Sequence, residues 1–142
     1  MLAADYVPFL EAIRIRRSKI TLTKESPIFD DRIIDLVKQA IKLSCAPSSF
    51  SALITTRSEP KVLEYKDHFQ VLFFEDTRAV KKFQQQLQHL IAQLSEWSEH
   101  SNGTNQFITW TALNTEGLGA NLQHYQTVIR EDVIATWNVP ET

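Results

Sequence analysis

Phe69-Gln70-Val71-Leu72-Phe73-Phe74 is the stretch that decides the fold class of this chain. It is short, rich in β-formers and bounded by Glu75-Asp76, the pattern of a strand. With so little polar interruption it reads as a central strand covered on both faces. Such a strand needs neighbours on both edges to satisfy its backbone donors and acceptors. Leu53-Ile54-Thr55-Thr56 is a brief candidate, and Ala120-Asn121-Leu122-Gln123 a weaker one. A sheet neighbour that this strand needs is missing from the sequence.

Outward from that strand, helical periodicity organises the sequence. Tyr6, Phe9, Leu10 and Ile13 form one apolar stripe. A second helix is expected to start with Asp30 as its N-cap and to bury Ile33, Leu36, Val37, Ala40 and Ile41. It must stop before Pro47, which disfavours a helical residue ahead of it. A long third helix carries Val80, Phe83, Leu87, Leu90, Ile91 and Leu94 on one side and glutamines and lysines on the other. A fourth is expected from about Thr104 to Asn114. Its Phe107, Ile108, Trp110, Ala112 and Leu113 point in all directions, which predicts burial on every side. Gly117 or Gly119 would close it in the left-handed conformation. A last helix aligns Ile129, Val133 and Trp137 ahead of Pro140.

With 142 residues, 43% apolar and 10% aromatic, the chain has enough material for one domain with its own core. Its apolar runs are too short to span a bilayer, and no charged-then-apolar leader opens it. The single cysteine, Cys45, excludes an internal disulfide framework, fits a reducing compartment and reads as a small buried hydrophobe. A cytoplasmic protein is expected, with the nucleus also open to it. The four histidines, His68, His89, His100 and His124, lack metal-ligand spacing, and no metal site or protein acid–base catalyst is assigned.

Arg14-Ile15-Arg16-Arg17-Ser18-Lys19 is a basic knot where the first helix runs out. Concentrated positive charge with a hydroxyl suits a phosphate or another small anion. A net charge of −2 leaves no broad basic face to follow a nucleic-acid backbone.

Arg16-Arg17-Ser18, Ser26-Pro27-Ile28, Pro47-Ser48-Ser49-Phe50, Val71-Leu72-Phe73-Phe74-Glu75-Asp76, Trp97-Ser98-Glu99 and Trp110-Thr111-Ala112-Leu113 follow one another in order. Glu116-Gly117-Leu118-Gly119-Ala120 and Leu122-Gln123-His124-Tyr125 complete the series. In that order the motifs resemble the nitroreductase family, specifically its fungal and bacterial fatty-acid-signalling branch. The resemblance implies a homodimeric α+β fold, helices around a small and here incomplete central sheet, with FMN in the subunit interface, NAD(P)H as hydride donor, and a small nitroaromatic or quinone-like acceptor. It also suggests a part in the oxidative-stress response. Carried onto this chain, the flavin-holding residues are Arg16, Arg17 and Ser18, the lent loop Pro47, Ser48 and Ser49, and Ser51, Glu116 and Gly117. The turn at Glu116-Gly117 is expected to bring a backbone N–H to flavin N5, with glycine at 117 and 119 permitting close approach.

Departures from the family pattern accompany these matches. Ser51 stands where the family places an asparagine, and Ile20 where a basic or tyrosyl residue is expected. Arg57 leads almost directly to the strand, and the chain ends soon after Asn138-Val139-Pro140. The expectation is one nitroreductase-like domain, 1–142, with a deletion near 57–62 and a missing C-terminal segment. Two readings follow, an FMN-dependent oxidoreductase or a non-catalytic dimerisation remnant that binds flavin weakly or not at all. A third, an anion-binding or nucleic-acid module, conflicts with the acidic balance.

Overall fold

The first helix, α1 (Phe9–Ile15), rises from Pro8, whose fixed φ suits the entry to a helix. The computed structural model describes residues 7–23, 25–43, 50–55, 70–86, 91–124 and 126–139. Along these follow α2 (Asp30–Lys42), β1 (Phe50–Thr55), β2 (Gln70–Glu75), α3 (Thr77–Gln86), α4 (Ile91–Thr115) and α5 (Gln126–Trp137). Helices predominate around one small sheet, the α+β arrangement expected.

The sheet is smaller and less central than the strand pattern predicts. β1 and β2 pair antiparallel in a two-stranded sheet, from Phe50 opposite Glu75 to Thr55 opposite Gln70. β1 begins at Phe50, three residues ahead of Leu53, and takes in Ser51. Val71, Leu72, Phe73 and Phe74 are half-buried, so β2 is not a central strand covered on both faces. Among the described residues its second edge carries no strand. Ala120 makes an isolated parallel bridge to Ser18 instead of joining β2.

α2 carries the core. Ile33, Leu36, Val37 and Ala40 are buried, as helical spacing requires, whereas Ile41 is only half-buried. Asp30 is the first helical residue and not the cap. Phe29 holds the cap position without a side-chain bond, and Ser26 shapes the approach: its Oγ donates to the Ile28 carbonyl at 2.6 Å and accepts the Ile28 N–H at 3.3 Å. Asp30 and Asp31 in the first turn complement the helix dipole. The first turn of α3 is capped directly, since Asp76 Oδ1 accepts the N–H groups of Arg78 at 3.0 Å and Ala79 at 3.1 Å.

α4 departs most from expectation. It starts at Ile91, not near Thr104, and runs through the polar stretch Ser98–Thr104, including Gly103. Ile91 and Leu94 therefore belong to α4, while Leu87 and Leu90 lie outside the described residues. Among the α4 side chains described, the buried ones are polar (Ser98, Asn105, Thr109 and Thr111), and Phe107, Ile108, Trp110, Ala112 and Leu113 are half-buried. The stripe on α1 also differs, with Phe9 69% and Leu10 76% exposed and Ala12 facing inward. Phe83 of α3 is exposed as well. α5 follows the reading, with Val133 buried and Ile129 and Trp137 half-buried. Asn138 closes it at φ 50, a conformation asparagine tolerates better than most residues. α4 packs on α2, α1 and α3.

Candidate functional site

The basic knot is divided by its local structure into cations with different duties. Arg14 points along α1 to Glu11, one turn back, with Nε to Oε2 at 2.6 Å and Nη2 to Oε1 at 2.5 Å. The pairing holds the Glu11 carboxyl below its ordinary range and pushes Arg14 up. At Arg16 the helix ends. Its N–H still donates to the Ala12 carbonyl at 3.2 Å, but its backbone is already extended. Arg17 is exposed and donates from Nη1 to the Arg16 carbonyl at 2.7 Å. The chain then runs alongside residue 120, where the Lys19 N–H donates to the Ala120 carbonyl at 3.1 Å.

That bridge brings the knot against the turn that ends α4. Gly117, at φ +83, occupies the left-handed position of a Schellman cap. Its N–H donates to the Asn114 carbonyl at 3.1 Å, and the Leu118 N–H to the Leu113 carbonyl at 3.0 Å. The Glu116 N–H donates to the Leu113 carbonyl at 3.2 Å. The N–H groups of Glu116 and Gly117, the turn expected to bring a backbone N–H to flavin N5, are thus engaged in closing the helix. Gly119 has its own local reason to be glycine: a Cβ there would lie 3.0 Å from Leu22 Cδ2 and 3.2 Å from Lys19 Cγ. It lets the turn approach the segment after the knot.

Glu116 is neutralised from α2. Arg32 donates to Glu116 Oε1 from Nη2 at 2.5 Å and from Nε at 3.1 Å, and reaches Asp35 from Nη1 at 3.2 Å. These partners push the Arg32 guanidinium up, Glu116 foremost. The carboxylate of the turn is therefore already answered by a cation. Arg16, Arg17 and Lys19 meet no carboxylate among the described residues. What remains is local positive charge in an acidic protein, a setting that attracts a small anion.

Arg16 itself turns toward α4. Its guanidinium carbon lies 4.1 Å from the Trp110 ring centroid and 5.4 Å from that of Phe107. Its Nε is buried without an acceptor, as is the Trp110 Nε1 donor.

The structure thus gathers Arg16, Arg17, Ser18, Glu116 and Gly117 at one place, from opposite ends of the sequence. Ser51 lies in β1 opposite Phe74. Pro47, Ser48 and Ser49, like Cys45 and the positions near 57–62, lie outside the described residues. Residue reading missed Arg32, Phe107 and Trp110 as parts of the site. The i, i+3 spacing of Phe107 and Trp110 was the available signal for a shared aromatic face; nothing in the sequence linked Arg32 to Glu116. A separate groove lies between β2, α3 and α4, lined by Glu75, Thr77, Val80, Lys81, Gln84 and Glu99. There burial, and then the neighbouring Glu99, push the Glu75 carboxyl up. Among the described residues no helix is long and apolar enough to cross a membrane.

No protein-family model matches the chain. Individual proteins do. Nitroreductase CinD from Lactococcus lactis, solved in complex with 4-nitrophenol, is 30% identical with a TM-score of 0.86, over 94% of this chain and 82% of that one. A nitroreductase structure from Saccharomyces cerevisiae is 25% identical with a TM-score of 0.78, over 93% and 87% of the two chains. Nitroreductase FRM2 of the same yeast is 34% identical over an alignment of 95 residues, with 63% of this chain and 49% of that protein covered. The chain spans half or less of the length of the curated relatives it matches.

Proposed function

This chain belongs to the nitroreductase family, and from that premise we propose that it is an FMN-dependent oxidoreductase that takes hydride from NAD(P)H and passes it to a nitroaromatic or quinone-like acceptor. The observation that carries the reading is the meeting of Arg16-Arg17-Ser18 with the turn at Glu116–Ala120 through the Ser18–Ala120 bridge.

The residues fit an anionic flavin. Arg16, Arg17 and Lys19 supply positive charge without a carboxylate partner among the described residues, and the buried Arg16 Nε has no acceptor of its own. Arg32 cancels the one carboxylate of the turn. Arg16 and Ser18 would hold the cofactor by charge-assisted and hydroxyl hydrogen bonds, with Arg17 adding charge. A guanidinium beside the ring also stabilises negative charge that develops there on reduction. FMN, when bound, supplies the hydride-accepting and hydride-donating centre. The Glu116–Gly117 turn, fixed by its cap and by Arg32, would border that centre. Ser51, with Pro47, Ser48 and Ser49 of the partner subunit, would complete the site.

A homodimer is part of the proposal. Phe9 and Leu10 expose apolar surface on α1, and burying such side chains against a second copy is worth roughly 1.5–3 kcal/mol each. A cytoplasmic place and a role in oxidative stress follow the family resemblance and belong to the same proposal, as does the single domain 1–142.

The test is flavin content and turnover. Purified chain should be yellow, hold FMN near one per protomer, and oxidise NAD(P)H in the presence of a nitroaromatic acceptor. Arg16→Ala should weaken FMN binding by roughly 1.5–3 kcal/mol, and Arg14→Ala, whose side chain is committed to Glu11, should leave it nearly unchanged. Equal effects would reduce the knot to a generic basic patch. A colourless chain that added FMN never reconstitutes would favour the non-catalytic remnant.

A further inference from the structure

Arg16 is held by aromatic faces. Its guanidinium lies over Trp110 at 4.1 Å and over Phe107 at 5.4 Å, its Nε is buried without an acceptor, and no carboxylate among the described residues pairs with it. The indole explains itself in the same way. Trp110 Nε1 is buried and donates to nothing, so what the ring contributes here is its π-face and not its N–H. Phe107 and Trp110 stand three residues apart on α4, the helix whose end forms the Glu116 turn.

We propose that Trp110, assisted by Phe107, is a positioning residue that fixes the Arg16 guanidinium for its ligand; this rests on the reading of Arg16 as an FMN-holding residue. A free arginine side chain samples many rotamers and loses that freedom when it binds. Stacked on Trp110, Arg16 loses it on folding instead, and the bound state is reached with less further ordering. The aromatic pair therefore sets where the charge sits. It does so without a carboxylate, which would compete with the anion.

Two measurements on the full chain test this. The first needs no cofactor. In ¹H–¹⁵N spectra the Arg16 Nε–H resonance, assigned by its disappearance in Arg16→Lys, should be displaced upfield by the Trp110 ring current and protected from solvent exchange. Trp110→Leu should abolish both effects, and Trp110→Phe, which keeps a π-face, should retain most of them. The second is FMN affinity, read from quenching of flavin fluorescence. Trp110→Leu should weaken binding by roughly two- to thirtyfold, the fold-change expected from a cation–π contact. In an Arg16→Ala background the same substitution should have no further effect.

An undisplaced Nε–H resonance in the wild-type chain overturns the proposal. So does an equal loss of affinity from Trp110→Leu in both backgrounds, which would make Trp110 a packing residue. Trp110→Phe guards against a Leu variant that fails to fold: a loss as large as that of Arg16→Ala would overturn the proposal, and retained affinity supports it. If the wild-type chain binds no FMN, the cofactor reading fails and the spectral comparison alone decides the aromatic clamp.

Discussion

Replacing Thr109 with valine removes an oxygen that has nothing to bond. Thr109 is 3% exposed and its Oγ1 has no partner. Other threonines of α4 show the usual outlet, donating to the carbonyl four residues back: Thr104 to His100 at 3.0 Å and Thr111 to Phe107 at 2.8 Å. A buried polar group left unsatisfied costs about 1–3 kcal/mol. Valine keeps the shape and the β-branch, so no cavity opens and helix propensity hardly changes. One turn earlier Asn105 is 0% exposed, with Nδ2 and Oδ1 both unpartnered. Thr109→Val is expected to stabilise the fold by about 1 kcal/mol and Asn105→Leu by about 2 kcal/mol. In a domain of this size each kcal/mol raises Tm by roughly 3 °C. Urea unfolding should show a higher midpoint at unchanged slope, and calorimetry the matching rise in Tm. A Thr109→Val protein less stable than the parent would refute the reasoning, because the hydroxyl must then be hydrogen-bonded in solution. The double variant would locate the bond: coupling between the two positions means that they share a partner.

Gly103 lies inside α4 with open space where a Cβ would stand, so Gly103→Ala should stabilise by about 0.5–1 kcal/mol in thermal melts. An unchanged or lower Tm would contradict a continuous helix through this position. Arg32→Ala breaks the bridge to Glu116, an ion pair open to solvent, and should change stability little in thermal melts. It should nevertheless weaken FMN binding, because it uncovers a carboxylate near the knot, and adding Glu116→Gln should restore the affinity. For Glu75 the folded carboxyl titrates above its ordinary value, raised first by burial and then by Glu99. The folded state therefore holds more protons than the unfolded one between those two values, and stability falls as pH rises through that window. Glu75→Gln should raise Tm at neutral pH, with the difference closing as pH falls toward about 4, where the unfolded carboxyl is protonated too.

Much of the helical frame was legible because it follows from periodicity. α2 buries Ile33, Leu36, Val37 and Ala40 where a repeat of 3.6 residues places them, and α5 does the same with Val133. Gly117 was legible as a cap because a left-handed residue is needed where α4 stops. The first half of α4 was not, because Ser98–Thr104 is polar, contains a glycine, and reads locally as a loop. Only packing against α2, α1 and α3 explains a helix there. The sheet was misread for a related reason. An apolar run predicts burial, but half-burial in a two-stranded sheet suits the same residues. Within the site the basic knot was visible as local composition. The contacts that sort its cations were not: Arg32 and Glu116 are 84 residues apart, and Arg16 meets Trp110 only once α1 lies on α4.

The Ser18–Ala120 bridge also bears on how the chain reaches this arrangement. It joins positions separated by about a hundred residues, and closing a loop that long carries an entropic penalty that only later contacts return. Helices such as α2 and α5 are local and can form early; the meeting of the knot with the turn cannot. Ligand-binding competence should therefore be the last property to appear in refolding, later than helical signal. A lesion anywhere between the two segments that slows their meeting would delay that competence while leaving most of the secondary structure in place.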